Sequence, residues 1–254
     1  MISTGAGGPV ATGMVRIFMD RHDAVPEELA QEAFGISAAV PKVAKAVMRM
    51  TTRAGQQWFT LLLCASTYLE WGSGGSTVLA AWRAVQEGKP LYMVSVDSSE
   101  AWIRQLRSKH PVLVEAEAAG KLAFRAADTG AVGAWGHPVY WNSRTPALQR
   151  SQATAYVEMA NASQCCFNLV LVDGRFRVAC MLHALRLAHE RTVVLVHDSP
   201  RYLLHPAVQR YYQVAFQIGE LAALRPREGA IEEAKLGGAT WLALYNQVLV
   251  RVQR

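Results

Sequence analysis

Tyr68-Leu69-Glu70-Trp71-Gly72-Ser73-Gly74-Gly75-Ser76-Thr77 is the stretch that decides the fold. A short apolar run ends at an acid, glycines follow, and a helix-compatible segment begins at Ser76. Glycines at 72 and 74 let the backbone turn sharply and approach a ligand closely. Amides at the start of the following helix favour a polar or anionic group. This is the physical content of a nucleotide-binding turn. The dinucleotide fingerprint G-x-G-x-x-G is not matched, because Thr77 stands where its third glycine would be. The phosphate loop is not matched either, since no Gly-Lys-Ser/Thr follows. Alone, such a turn is weak evidence.

Working outward, the same pattern recurs. Apolar runs at 67–71, 91–96, 122–126, 169–172 and 193–196 each end at a polar turn, as strands buried on both faces do. Helical stretches separate them at 76–87, 99–119, 146–162 and 176–189. This alternation predicts an α/β fold: a Rossmann-like, doubly wound, mostly parallel sheet of about seven strands with helices on both faces. Past Asp198 the pattern loosens. Residues 206–212 read as a helix, 214–224 as one or two edge strands, and 225–238 as a loop; 241–250 lean to helix. Residues 1–54 read as a flexible, glycine-rich start followed by a helical extension, and 55–254 as the Rossmann domain. Within that extension 26–34 and 41–53 read as helices. Lys42, Lys45, Arg49 and Arg53 share one helical face, as a solvated surface or an anionic contact.

Two further acids follow the strands in order. Asp97 ends the second strand of the domain, where an acid can accept hydrogen bonds from both ribose hydroxyls. The other reading is a cap on the next helix, and the two roles are not exclusive, because Ser98 or Ser99 could cap instead. Asp128, in Asp128-Thr129-Gly130 after the third strand, is placed to meet the exocyclic amine of adenine, or simply to make a turn.

The acid-x-Gly-x-Gly turn, the acid ending the second strand and the acid after the third together resemble class I S-adenosylmethionine-dependent methyltransferases. The turn and the run Val172-Asp173-Gly174-Arg175-Phe176-Arg177-Val178-Ala179 look like one poorly characterised methyltransferase-like family, over about residues 55–225. The resemblance implies S-adenosylmethionine as cofactor. Glu70, Gly72 and Gly74 would form the methionine-side cradle, and Ser73, Gly75 and Ser76 would shape its loop. Asp97 would take the ribose, Asp128 the adenine edge, with Trp135 near the base. The implied activity is methyl transfer to a small-molecule or peptide-like acceptor. The alternative is a catalytically silent methyltransferase-like subunit or adaptor of a larger assembly, since fold does not fix function.

Ligands of open α/β sheets bind beyond the carboxyl ends of the strands, so Asp173, Arg175, His197 and Asp198 are expected to face one crevice. His197 and Asp198 are the candidate general bases and Asp173 their orienter. Arg175 is the candidate substrate-binding residue, gripping an anion, or it joins Arg177 in pairing with Asp173 or Glu70. Asp173 and Asp198 also suit a divalent ion, but a helix cap and a turn explain them better, and no metal ligand is assigned.

The chain has 254 residues, a formal net charge of +6 and a charged fraction of 18%. Such a charge favours anionic ligands, but no long Lys/Arg run or regular aromatic ladder marks a nucleic-acid binder. Cys64, Cys165, Cys166 and Cys180 lack metal-ligand spacing and read as reduced thiols. No apolar run approaches the roughly 20 residues that span a bilayer. The expected compartment is the cytoplasm, with the mitochondrial matrix as alternative.

Overall fold

The computed structural model describes residues 18–19, 66–88, 91–160 and 166–249. The helices expected at 26–34 and 41–53, together with Cys64 and Cys165, lie outside these. Among the described residues eight strands form one sheet: β1 (Phe18–Met19), β2 (Thr67–Trp71), β3 (Tyr92–Asp97), β4 (Leu122–Ala126), β5 (Leu169–Val172), β6 (Val193–Val196), β7 (Tyr212–Ile218) and β8 (Leu221–Pro226). Their order is β1-β7-β8-β6-β5-β2-β3-β4. The five strands read from apolar runs are mutually parallel. β8 alone runs antiparallel to both its neighbours, β6 and β7. The fold is the expected Rossmann-like α/β sheet.

Each parallel strand alternates between two cores because successive side chains leave opposite faces. Leu69, Trp71, Val170, Val172, Val194 and Val196 enter one core, with α4 (Pro146–Val157), α5 (Arg177–Arg186), α6 (Pro206–Tyr211), α7 (Ala230–Leu236) and α8 (Ala239–Leu249) above them. Tyr68, Met93, Leu169, Leu171 and Leu195 enter the other, under α1 (Gly75–Gln86), α2 (Glu100–Lys109) and α3 (Pro111–Ala118). All four residues of β5 and of β6 are buried, which is why those runs carry no polar residue. At about 1.5–3 kcal/mol for each large aliphatic side chain buried, these central strands anchor the sheet.

Four differences from the sequence reading have local causes. The single helix expected at 99–119 is two, because Pro111 lacks an N–H and opens α3 at its first position, with His110 as the shared cap. The stretch 225–238 is not a loop throughout: its glycines bracket α7, and Gly237, with φ 65°, closes that helix in the left-handed conformation. β8 is not an edge strand but lies between β6 and β7. Phe18 and Met19, in the stretch read as an extension, pair in parallel with Gln217 and Ile218 of β7. Residues 241–249 are helical, as expected. Among the described residues no helix is long and apolar enough to cross a membrane.

Candidate functional site

The strand order reverses between β2 and β5, and the crevice of an open α/β sheet lies beyond the strand ends at such a point. Here two glycines meet. Gly72, leaving β2, has φ 102°, and a Cβ on it would stand 2.8 Å from Gly174 N and 2.9 Å from Asp173 C. A Cβ on Gly174 would stand 2.9 Å from Trp71 C and fall on the Tyr156 hydroxyl. Only glycine fits either position. Gly74 differs: its φ is −178°, and a Cβ there would meet nothing within 4 Å. The chain therefore needs Gly72 for its own packing and leaves the face of Gly74 open.

The turn is held by side chains beneath it. Glu70 is fully buried. Its carboxylate accepts from the hydroxyls of Tyr68, Ser76 and Ser95, each at 2.7 Å, and from Thr77. Burial pushes its pKa up, and these hydroxyl donors oppose the shift. Glu70 thus holds the turn from inside, tying β2 to β3 and to the first turn of α1. Ser73 Oγ lies 2.7 Å from Ser95 Oγ, Trp102 Nε1 donates to Ser73 O at 2.8 Å, and Gly74 N donates to Thr77 Oγ1 at 2.8 Å. Gly75 and Ser76 open α1.

Asp97 ends β3 beside this turn, 9% exposed. Its carboxylate accepts from Ser73 N at 3.0 Å and Ser99 N at 2.9 Å. Burial raises its pKa against those amides. Ser99 is the cap of α2, accepting from Trp102 N at 3.1 Å. Asp128 is exposed and accepts from Gly130 N at 2.8 Å, a self-contained turn.

Between β4 and α4 the loop comes beside the segments that follow β3 and β5, Gly136 against Ser98 and His137 against Arg175. Trp135 and Tyr140 there are left-handed and 81% and 80% exposed. His137, on the same loop, places Nε2 at 2.7 Å and Nδ1 at 3.1 Å from Arg175 Nη1. Burial, then the charge of Arg175, lowers the His137 pKa. Arg144 pins the loop's base, donating to Thr129 O at 2.6 Å and Val139 O at 2.7 Å.

The third group gathers at the ends of β5 and β6. Arg177 is 5% exposed. Its Nη2 lies 3.2 Å from Asp173 Oδ1 and its Nη1 3.0 Å from Asp198 Oδ2. Its Nε donates to Gly174 O at 3.0 Å, and its Nη1 also to His197 O. His197 Nδ1 lies 2.9 Å from Asp173 Oδ1. Burial disfavours a charged His197, but the hydrogen bond and charge of Asp173, with Asp198, outweigh it and raise the pKa. His197 Nε2 is buried and, among the described residues, takes no hydrogen bond; Glu220 Oε2 is 3.9 Å away. Asp198 sits at φ 53°, a left-handed conformation that a short polar side chain tolerates.

The structure thus brings Glu70, Gly72, Ser73, Gly74, Gly75 and Ser76 into one turn with Asp97 beside it, and Asp173, His197 and Asp198 into one cluster; Asp128 follows Ala127, whose N–H donates to Asp97 O at 2.8 Å. Arg175 and Arg177 separate in role: Arg177 pairs with both acids, and among the described residues Arg175 is in contact with none. A cation on Asp173 and Asp198 together would meet the guanidinium that already bridges them, so those two acids do not fit a divalent ion. His197, Asp198 and Glu220 also bring potential ligand atoms within 4.8 Å of one another. Sequence reasoning missed Ser95, Glu220 and the contact made by His137. Ser95 alone had a signal: a hydroxyl inside the apolar run Met93-Val94-Ser95-Val96 needs a buried partner.

No known protein family and no curated protein matches the chain. Among solved structures, a methyltransferase-like protein from Silicibacter pomeroyi is 26% identical, with TM-score 0.54, covering 74% of this chain and 94% of its own. A second structure, described as "cmcI-N160 SAH", is 13% identical, with TM-score 0.40, covering 82% of this chain and 95% of its own. The chain has the methyltransferase-like Rossmann fold.

Proposed function

We propose that this protein transfers a methyl group from S-adenosylmethionine to a small or peptide-like acceptor. The observation that carries the reading is the open face of Gly74 at the switch point, beside the buried acid of β3. The resemblance to the Silicibacter pomeroyi protein supports the same class. The residues fit the cofactor: Gly74 leaves room over the backbone, and Asp97 retains lone pairs for ribose hydroxyls beyond those used by Ser73 and Ser99. When bound, S-adenosylmethionine supplies an electrophilic methyl group on a sulfonium.

The chain's residues then align and deprotonate. Methyl transfer depends chiefly on proximity and alignment. Asp173 accepts the Nδ1 proton of neutral His197, which fixes the tautomer and leaves the Nε2 lone pair to take a proton from a hydroxyl or amine acceptor. Nε2 is buried, with Glu220 Oε2 3.9 Å away, so the side chains over it must move before an acceptor reaches it. Arg177 holds Asp173 and Asp198 in place, and Asp198 lies 3.9 Å from His197 Nδ1, where it supports the imidazolium.

Calorimetric titration with S-adenosylmethionine and with S-adenosylhomocysteine tests the reading. Saturable heat is expected from both. Folded protein that gives none at high concentration removes it.

A further inference from the structure

The two arginines of Arg175-Phe176-Arg177 are two residues apart and differently supplied. Arg177 faces two carboxylates. Arg175 is half-buried, and among the described residues its guanidinium meets no carboxylate; its hydrogen-bonding partner is the His137 ring. A neutral imidazole offers one lone pair, so one ring nitrogen at most accepts from Arg175, and most of the five guanidinium donors stay uncommitted. The main chain beneath is fixed: Arg175 N donates to the Tyr156 hydroxyl at 3.3 Å, and Cys180 Sγ donates to Arg175 O at 3.3 Å. The next residue, Phe176, is left-handed and packs its ring 5.2 Å from that of Trp141. Burial, then the nearby charge of Arg177, makes the Arg175 cation harder to hold. The charges of Asp173 and Asp97 act on it only from a distance; a partly desolvated cation with no carboxylate in contact is costly, and an anion that completes it binds well.

Building on the methyl-transfer reading, we infer that Arg175 receives a carboxylate carried by the methyl acceptor, with neutral His137 occupying its donors until the acceptor arrives. The planar guanidinium matches a carboxylate through two parallel hydrogen bonds. The acceptor, rather than the cofactor, is the source of that group because Arg175 follows Asp173, the partner of the proposed base His197, beyond the end of β5, and its guanidinium meets His137 on the loop between β4 and α4. That loop presents Trp135 and Tyr140, both largely exposed, whose rings are suited to cover a flat apolar body attached to the carboxylate.

The probes are 4-hydroxybenzoate and 4-hydroxybenzamide, alike except for charge, titrated calorimetrically with and without S-adenosylhomocysteine. Wild-type protein is expected to bind the acid at least about tenfold more tightly than the amide, and Arg175→Gln to bring the ratio to about one, with melting confirming the fold. Equal binding by wild type, or an unchanged ratio in Arg175→Gln, overturns the assignment. So does a loss of S-adenosylhomocysteine affinity in Arg175→Gln by the same factor, which makes the cofactor's carboxylate the one held. Should Arg175→Gln fail to fold, wild type at rising salt still decides: the acid's advantage must shrink, and an advantage indifferent to salt refutes an ionic contact. Discrimination without any binding of S-adenosylhomocysteine keeps the anion site and removes the methyl-transfer reading instead.

Discussion

Gly72 and Gly74 stand two residues apart in one turn, and the structure assigns them opposite burdens. Gly72→Ala would drive a methyl group into the backbone of Asp173 and Gly174 at 2.8–2.9 Å. Neither side can yield easily, because both are main chain at the centre of the sheet. Overpacking of this kind costs about 1–3 kcal/mol. Holding alanine at a φ of 102° adds strain of about 1–3 kcal/mol. Together these give about 2–6 kcal/mol, which for a chain of this size lowers the melting temperature by about 4–24 °C. Gly74→Val meets no atom and no left-handed backbone. Its cost is that valine caps a helix less well than glycine, about 1 kcal/mol or about 2–4 °C. Yet its branched side chain fills the volume above the turn, so affinity for S-adenosylhomocysteine should fall by at least about tenfold. Differential scanning fluorimetry and calorimetric titration of both variants separate the two burdens. A Gly72→Ala protein that melts within about 2 °C of wild type refutes the close approach at the switch point. A Gly74→Val protein that binds normally refutes the cradle.

Asp97→Ala should weaken cofactor binding and also cost about 2 kcal/mol or more of stability, because the amides of Ser73 and Ser99 lose their acceptor; denaturant unfolding measures the second effect, and an unchanged midpoint contradicts it. Arg177→Met should destabilise by about 3 kcal/mol through the acids it leaves unpaired, and Arg177→Lys should recover only part of this, since one ammonium cannot span Asp173, Asp198 and two carbonyls. Because His197 has a raised folded pKa, the stability it contributes is complete below its ordinary value of 6.5 and is lost as pH rises through the folded value. Melting temperatures taken from about pH 6 to about pH 9 should therefore fall more steeply for wild type than for His197→Gln, and parallel curves would contradict the Asp173–His197 pair.

The central sheet was legible because parallel strands buried on both faces leave an unmistakable apolar run. β2, β4, β5 and β6 match their runs residue for residue. The C-terminal third was less legible. Its antiparallel strands are partly exposed and carry Gln213, Gln217 and Arg225, and the glycines around α7 look the same in a loop as at a helix cap. In the site, the glycines and acids at strand ends announced themselves by position. Which acid is closed off from the crevice did not, since that depends on hydroxyls from other elements: Glu70 is enclosed by Tyr68, Ser76, Thr77 and Ser95. The pairing of Arg175 with His137 joins loops far apart in sequence and has no local signal.

The order of the strands also bears on how the protein comes off the ribosome. β2, β3 and β4 are adjacent both in the chain and in the sheet, so they can pair as soon as they emerge. The partner for the other edge of β2 is β5, which is made only after α4. Until then the nascent sheet presents the edge of Tyr68, Leu69 and Trp71, apolar and with its amides unpaired, an invitation to pair with another chain. The crevice cannot exist before that edge is covered, because Gly174 forms its other wall. A fragment ending at β4 should therefore be aggregation-prone and have no cradle at all, although it carries the entire glycine turn.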